Sequence, residues 1–258
     1  MNSRISTIAF NTFREAVRDR VLYNLIVFAL IMIGASLLLG QITIGVQRQL
    51  LINLGLTSIS VFGVLIAIFI GIGLVSKEID KRTLYTVLTR PVQRWEFILG
   101  KFYGLVGTLV VNAAFMTLGF FVALLYLMHG FERSDGYILI AIFFILLQFM
   151  IVTAVALLFS SFSTPIESAV MTFAFFVVGS FSEDLRGFAE SAKGLAHYFA
   201  IGMSYIIPNF SALNVIASVA HGKPVSGELI LMNTLYALTY TAAVICAASL
   251  IFEKRNMK

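Results

Sequence analysis

Charge and cysteine are both scarce in this sequence. Only 12% of its 258 residues are charged and 59% are hydrophobic, whereas about a quarter of the residues in a soluble domain carry charge. This composition excludes an ordinary soluble domain and predicts an integral membrane protein. The single cysteine, Cys246, lies in an apolar run, which excludes a disulfide framework or a thiolate metal cluster within one chain.

Six apolar runs are long enough, or nearly so, to cross the roughly 30 Å hydrocarbon core of a bilayer as helices. They cover residues 21–40, 54–75, 102–128, 136–159, 166–181 and 229–252, and the fifth is the shortest. No ionisable residue lies in the interior of a run. This absence argues against a proton- or sodium-driven carrier, because such carriers keep charged groups at membrane depth. The sequence therefore predicts an all-α membrane protein with six transmembrane helices in a single domain.

Two further absences limit the chemistry of the chain. His129, His197 and His221 fall between the runs without metal-ligand spacing, so no metal site is predicted. The segment that ends at Lys77 resembles a phosphate-binding loop, but it has Ser76 where the pattern needs glycine and Glu78 where it needs serine or threonine. We therefore predict no catalytic residue and no bound ATP in this chain.

Basic residues are distributed unevenly between the two sides of the six predicted spans. With the N-terminus inside, 13 of the 18 lysines and arginines are cytoplasmic, and the other 5 are Arg48, Arg133, Arg186, Lys193 and Lys223. This bias predicts a multi-pass protein of the cell (inner) membrane with both termini in the cytoplasm. The net charge of +5 accompanies apolar runs, so anionic lipid is the expected partner and nucleic acid is not.

Residues 76–101, here called the polar island, separate spans two and three. We predict a coupling helix from about residue 77 to residue 88, a corner at Arg90-Pro91, and a second helix that starts at Pro91 and continues into span three. Charges of both signs suit a protein partner better than lipid headgroups do. These charges are Lys77, Glu78, Asp80, Lys81 and Arg82. Arg94, Trp95 and Lys101 are equally consistent with simple anchoring at the membrane surface.

Two segments outside the spans have helical periodicity. Residues 1–20 carry an apolar stripe that includes Ile8 and Phe13, which predicts an interfacial helix on the inner leaflet. Residues 182–227 form the extracytoplasmic segment, with one helix predicted around residues 185–199 and a second over residues 209–220, after Pro208. The pair is consistent with a cap over the outer mouth of a pathway and equally with a surface hairpin.

Three glycines share one face at the start of the third span. Gly100, Gly104 and Gly107 permit close approach of another backbone, which predicts either packing within the bundle or a dimer interface.

The polar island contains three characteristic stretches, 78–84 (EIDKRTL), 88–97 (LTRPVQRWEF) and 99–101 (LGK). Together they resemble the cytoplasmic signature of type-two ABC exporter permeases, in particular the branch associated with maturation of multicopper enzymes and nitrous-oxide reductase. The segments 208–210 (PNF) and 252–256 (FEKRN) are similar to that family as well. Arg82 departs from the pattern, because many relatives have glycine before the threonine.

The resemblance implies the permease subunit of an ATP-driven exporter. It implies that the island docks on separate ATP-binding subunits, which hold ATP and Mg, through Glu78, Asp80, Lys81, Arg82, Arg90, Pro91 and Arg94. It also implies a second permease copy, identical or different, and substrates among lipids, glycans, drugs and peptides. Two alternatives stay open. One is a secondary carrier or channel, and the other is a membrane scaffold or maturation factor that works with an ATPase without bulk transport.

Overall fold

In a computed structural model the chain is a bundle of α-helices. The structure describes residues 2–18, 23, 26–27, 29–31, 33–34, 37–38, 47–80, 93–128, 130, 132–184, 187 and 194–254. Its helices are α1 (Asn2–Arg18), α2 (Gln47–Asp80), α3 (Arg94–Met128), α4 (Gly136–Ser160), α5 (Pro165–Ser180), α6 (Leu195–Ile206), α7 (Ile216–Ala220) and α8 (Gly227–Lys254). The described residues contain no strand, which confirms the predicted all-α class for this part of the chain.

Four of these helices are long and apolar enough to cross a membrane. The qualifying stretches are Gln47–Gly71, Trp95–Tyr126, Gly136–Ser160 and Gly227–Glu253, and they correspond to predicted spans two, three, four and six. Helix α5, the predicted fifth span, is also apolar but has only 16 residues. Half of predicted span one, residues 21–40, lies outside the described residues, so the total of six spans stays a prediction.

Close contacts fix the relative directions of the long helices. A side chain at Gly71 would meet Ala156, and Ser60 bonds to Gln148, so α2 and α4 run parallel. Helix α8 runs antiparallel to α3, because Phe97 near the start of α3 stacks on Phe252 near the end of α8 with ring centroids 5.8 Å apart. The end of the bundle that carries the polar island is here called the island end, and the opposite end the far end.

Helix α5 buries small residues and exposes large apolar ones. Its buried residues are Ser168, Thr172 and Gly179, whereas Ile166 and Val170 are 78% and 63% exposed. Small residues at helix contacts and apolar residues on the outer surface are typical of helices packed in lipid. The helix begins with Pro165, and the Thr164 amide just before it donates to Glu167 Oε2 (3.1 Å).

Residues 207–215, here called the elbow, join α6 to α7 without forming a helix. The helix predicted over residues 209–220 ends where predicted, at Ala220, but the prediction is wrong at its beginning, because the helix begins only at Ile216. Side chains satisfy the backbone groups that a helix would have used. The Asn209 amide donates to Tyr236 Oη (2.8 Å) and the Ala212 amide to Asn209 Oδ1 (3.0 Å).

The elbow also covers the end of α5. The Phe210 amide donates to the Gly179 carbonyl (3.1 Å) and the Ser211 hydroxyl to the Ser180 carbonyl (2.9 Å). At 1.5 Å per residue, α5 is only about 24 Å long, short of the roughly 30 Å hydrocarbon thickness. The elbow packs against its C-terminal end, where Ile207, Phe210 and Leu213 are buried. The helix predicted around residues 185–199 lies mostly outside the described residues, and α6 is described from Leu195.

Candidate functional site: the polar island and its helices

Both flanks of the polar island are continuous with membrane helices. Helix α2 has 34 residues and reaches Asp80, and α3 has 35 residues and begins at Arg94. At 1.5 Å per residue each is about 51–53 Å long, some 20 Å more than a bilayer core requires. The helix predicted to start separately at Lys77 is therefore wrong at its beginning, because residues 77–80 continue α2 without a break. Lys77 and Glu78 are both good helix formers, so the helix can continue past the end of the apolar run.

The second flank follows the prediction more closely. Helix α3 runs unbroken into span three, although it starts at Arg94 and Pro91 lies outside the described residues. The Gln93 amide donates to Glu96 Oε2 (3.1 Å), so Glu96 satisfies one of the free amides at the helix start. Glu96 is only 2% exposed. A carboxylate near a helix N-terminus is also favoured by the helix dipole.

The structure describes some of the predicted docking residues but not others. Lys81, Arg82, Arg90 and Pro91 lie outside the described residues. Glu78, Asp80 and Arg94 lie on the ends of α2 and α3, where the structure gives their helical backbone only. Of the predicted docking residues, the structure thus places only Glu78, Asp80 and Arg94, at the two helix ends that flank the island in sequence.

The residues predicted as surface anchors are partly internal. Lys101 is 2% exposed, and its Nζ lies 5.6 Å from the centroid of the Phe97 ring, so it does not reach outward from this chain. Its neighbours Ile98 and Phe102 belong to the buried core. The Trp95 indole donates to Gln93 Oε1. Membrane anchoring therefore does not account for Lys101.

Helix α1 packs on the glycine face of α3. A Cβ atom on Gly104 would lie 2.5 Å from the Ala9 carbonyl oxygen, and one on Gly100 would lie 2.6 Å from Ile8 Cγ2. A Cβ on Gly107 would meet Phe13 at an ordinary 3.6 Å. The face predicted for bundle packing or for a dimer is thus occupied by α1 of the same chain. The buried or half-buried residues of α1 are Ile5, Ile8, Ala9, Thr12, Phe13, Ala16 and Val17, which includes the whole predicted apolar stripe.

A charged cluster at the far end was not anticipated from the sequence. Arg48 Nη2 donates to both carboxylate oxygens of Asp135, at 2.6 and 2.5 Å, and Arg48 Nη1 lies 3.1 Å from Glu132 Oε1. The Asp135 side chain is 5% exposed. A cavity of about 200 Å³ adjoins the cluster, with Ser134 and His221 in its lining. The only sequence signal was position: Arg48 and Asp135 each stand at the start of an apolar run.

The described residues contain no group of three histidine, cysteine, aspartate or glutamate side chains that could hold a metal ion. In the part of the chain that the structure describes, the buried charged residues are Glu96 and Lys101 toward the island end and Asp135 at the far end. The arrangement can transmit a mechanical displacement, but it contains no catalytic constellation.

Comparison with known proteins gives a family for the whole bundle. No curated protein matches the chain. The family model described as ABC-2 family transporter protein matches residues 6–257, which covers α1, both flanks of the polar island and all the membrane helices. This family consists of non-catalytic permease components of ABC transporters, as the sequence resemblance implied. The chain belongs to the ABC-2 family of transporter proteins.

Proposed function

We propose that this chain is the permease subunit of an ATP-driven exporter, with ATP and Mg bound by separate subunits that dock on the polar island. A second permease copy would complete the transmembrane unit. Both termini and the island would lie in the cytoplasm of a cell with an inner membrane. The branch associated with multicopper-enzyme and nitrous-oxide-reductase maturation is the proposed relative within the family.

One observation carries this proposal. The island lies between two helices that continue from the membrane without a break, through Asp80 on one side and from Arg94 on the other. A motor protein that moves the island would therefore move α2 and α3 directly, because a continuous helix transmits displacement along its axis. Alternating access by such rigid-element motion is an established type of conformational change.

The test uses reversed charges in the island. In the complex with its ATP-binding subunit, the double variant Glu78→Lys, Arg82→Glu should abolish transport and stimulated ATP hydrolysis. Loss of one member of a partly desolvated ion pair costs about 2–5 kcal/mol. Membrane abundance should be unchanged, because the apolar helices are untouched. The chain purified alone should hydrolyse no ATP.

The matched control is Arg133→Glu, which reverses a charge at the far end of the bundle and should change neither activity nor abundance. Normal stimulated hydrolysis in the Glu78/Arg82 variant would contradict docking on the island. ATP hydrolysis by the isolated chain would contradict the assignment as a non-catalytic subunit.

A further inference from the structure

Helices α2 and α4 are in contact over most of their length, and the charged cluster joins them at the far end. Helix α2 contacts α4, or Asp135 directly before it, at three levels. At the far end Arg48 binds Asp135, in the middle the Ser60 hydroxyl donates to Gln148 Oε1 (3.0 Å), and toward the island end Gly71 approaches Ala156.

The register of the two helices shifts by only a few residues along the contact. The contacting residues are 87 apart in sequence at the far end, 88 apart at Ser60 and 85 apart at Gly71. The contact between Arg48 and Gly71 extends over about 35 Å at 1.5 Å per residue. The helices therefore stay close along the full thickness of a membrane core.

The middle of this contact leaves no room for sliding. A Cβ atom on Gly63 would lie 1.9 Å from Phe149 Cζ, so the phenylalanine ring rests directly on the glycine backbone. A translation along the helix axis would drive the ring against neighbouring side chains of α2. Closely packed interfaces of this kind have discrete arrangements and do not deform continuously.

The geometry of the ion pair at the far end is suited to holding α2 and α4 together. Arg48 Nη2 contacts both oxygens of one carboxylate while Nη1 contacts Glu132, and hydrogen bonds between two ionised groups are stronger than neutral ones. Asp135 is further fixed by the Glu132 amide, which donates to its Oδ2 (2.9 Å). Removing one partner of a buried pair leaves the other charge uncompensated.

We propose that α2 and α4 move as one rigid unit, and that the Arg48–Asp135 ion pair is the clamp that fixes their far ends together. A displacement of the island would then reach α4 as well as α2. The role of this unit in transport rests on the proposed function, whereas the clamp itself does not.

The first experiment tests the clamp on the purified chain in detergent, without any ATPase. In a Cys246→Ala background, a thiol at Ile138, which is fully buried one turn below Asp135, reports separation of the far ends. Ile138→Cys should react slowly with a maleimide, and adding Arg48→Ala should raise the rate severalfold. Lys223→Ala removes an exposed lysine from the same end and should leave the rate unchanged.

A charge exchange distinguishes loss of the clamp from general misfolding. Arg48→Asp combined with Asp135→Arg should return the maleimide rate toward that of the parent, because the pair is restored in reverse. A rate in Arg48→Ala equal to the parent's, or no recovery in the exchanged variant, would overturn the clamp.

The second experiment tests the rigid unit in the assembled complex. A Cβ on Gly71 would lie 3.2 Å from Ala156 Cβ, within a few tenths of an ångström of the separation in disulfides. Oxidised Gly71→Cys, Ala156→Cys protein should retain the stimulated ATP hydrolysis of its reduced form. Inhibition on oxidation that dithiothreitol reverses would overturn the rigid unit. If the reduced complex shows no stimulation at all, the proposed function fails, and the maleimide rates still decide the clamp.

Discussion

The contact between α1 and α3 predicts opposite effects for two alanine substitutions on one helix. Gly104→Ala places a methyl group 2.5 Å from the Ala9 carbonyl oxygen. A backbone oxygen cannot rotate away as a side chain can, so α1 must shift. Gly107→Ala places its methyl group 3.6 Å from a Phe13 ring carbon, which is an ordinary contact.

The expected magnitudes follow from two opposing terms. Alanine is favoured over glycine inside a helix by about 1 kcal/mol, and both variants gain this. Overpacking of a closed contact costs about 1–3 kcal/mol, and only Gly104→Ala incurs it. Gly107→Ala should therefore be neutral or slightly stabilising. Gly104→Ala should weaken the attachment of α1 by about 2 kcal/mol relative to Gly107→Ala, which is roughly a 30-fold change in the population of detached α1.

The assay measures detachment of α1 directly. Ala16 on α1 is fully buried, so Ala16→Cys in a Cys246→Ala background should react with maleimide only when α1 opens. The reaction should be at least several times faster with Gly104→Ala than with Gly107→Ala. Equal rates in the two variants would refute the reasoning. A loss of dimers in both variants without faster labelling would instead favour a dimer interface on this face.

Two other predictions concern topology and the elbow. In intact cells, single cysteines at Ser134 and Ser226 should react with an impermeant reagent, whereas one at Thr83 should react only after permeabilisation; external labelling at Thr83 would contradict the predicted orientation. Tyr236→Phe removes the oxygen that accepts from the Asn209 amide and should lower the free energy of unfolding in detergent by about 1–3 kcal/mol. Tyr198→Phe, at a position 75% exposed, should change it little, and equal melting temperatures for the two variants would argue against the elbow bond.

Helix type and span position could be predicted from the sequence where the pattern is local. The apolar stripe of residues 1–20 and the glycine face at Gly100 and Gly104 were each visible as periodic patterns. That the two faces pack on each other could not be predicted, because neither pattern specifies its partner. The sequence alone places the apolar stripe on the membrane surface and the glycine face in a bundle or dimer contact, whereas in the structure the two faces pack on each other.

The other differences between prediction and structure arise from contacts between residues that are distant in sequence. Arg48 was predicted only as a basic residue of an outer loop, because its partner Asp135 lies 87 residues away. The helix predicted to begin near Pro208 follows the usual preference of proline for a first helical turn. It fails because Tyr236, on another helix, accepts from the Asn209 amide. For Lys81, Arg82, Arg90 and Pro91, docking on a motor stays a prediction.

The elbow has a consequence for how the chain can vary in length. Surface loops usually accept inserted or deleted residues, because water satisfies any backbone group that is displaced. Around residues 207–215 the hydrogen-bond partners are instead fixed groups of the protein, such as the Gly179 carbonyl and the Tyr236 phenol. One extra residue would move at least one amide out of reach of its partner, in a segment where Ile207, Phe210 and Leu213 are buried and a lost hydrogen bond is costly. Natural variation in length should therefore avoid this loop, although it is not a helix, and concentrate in the connections that lie outside the membrane.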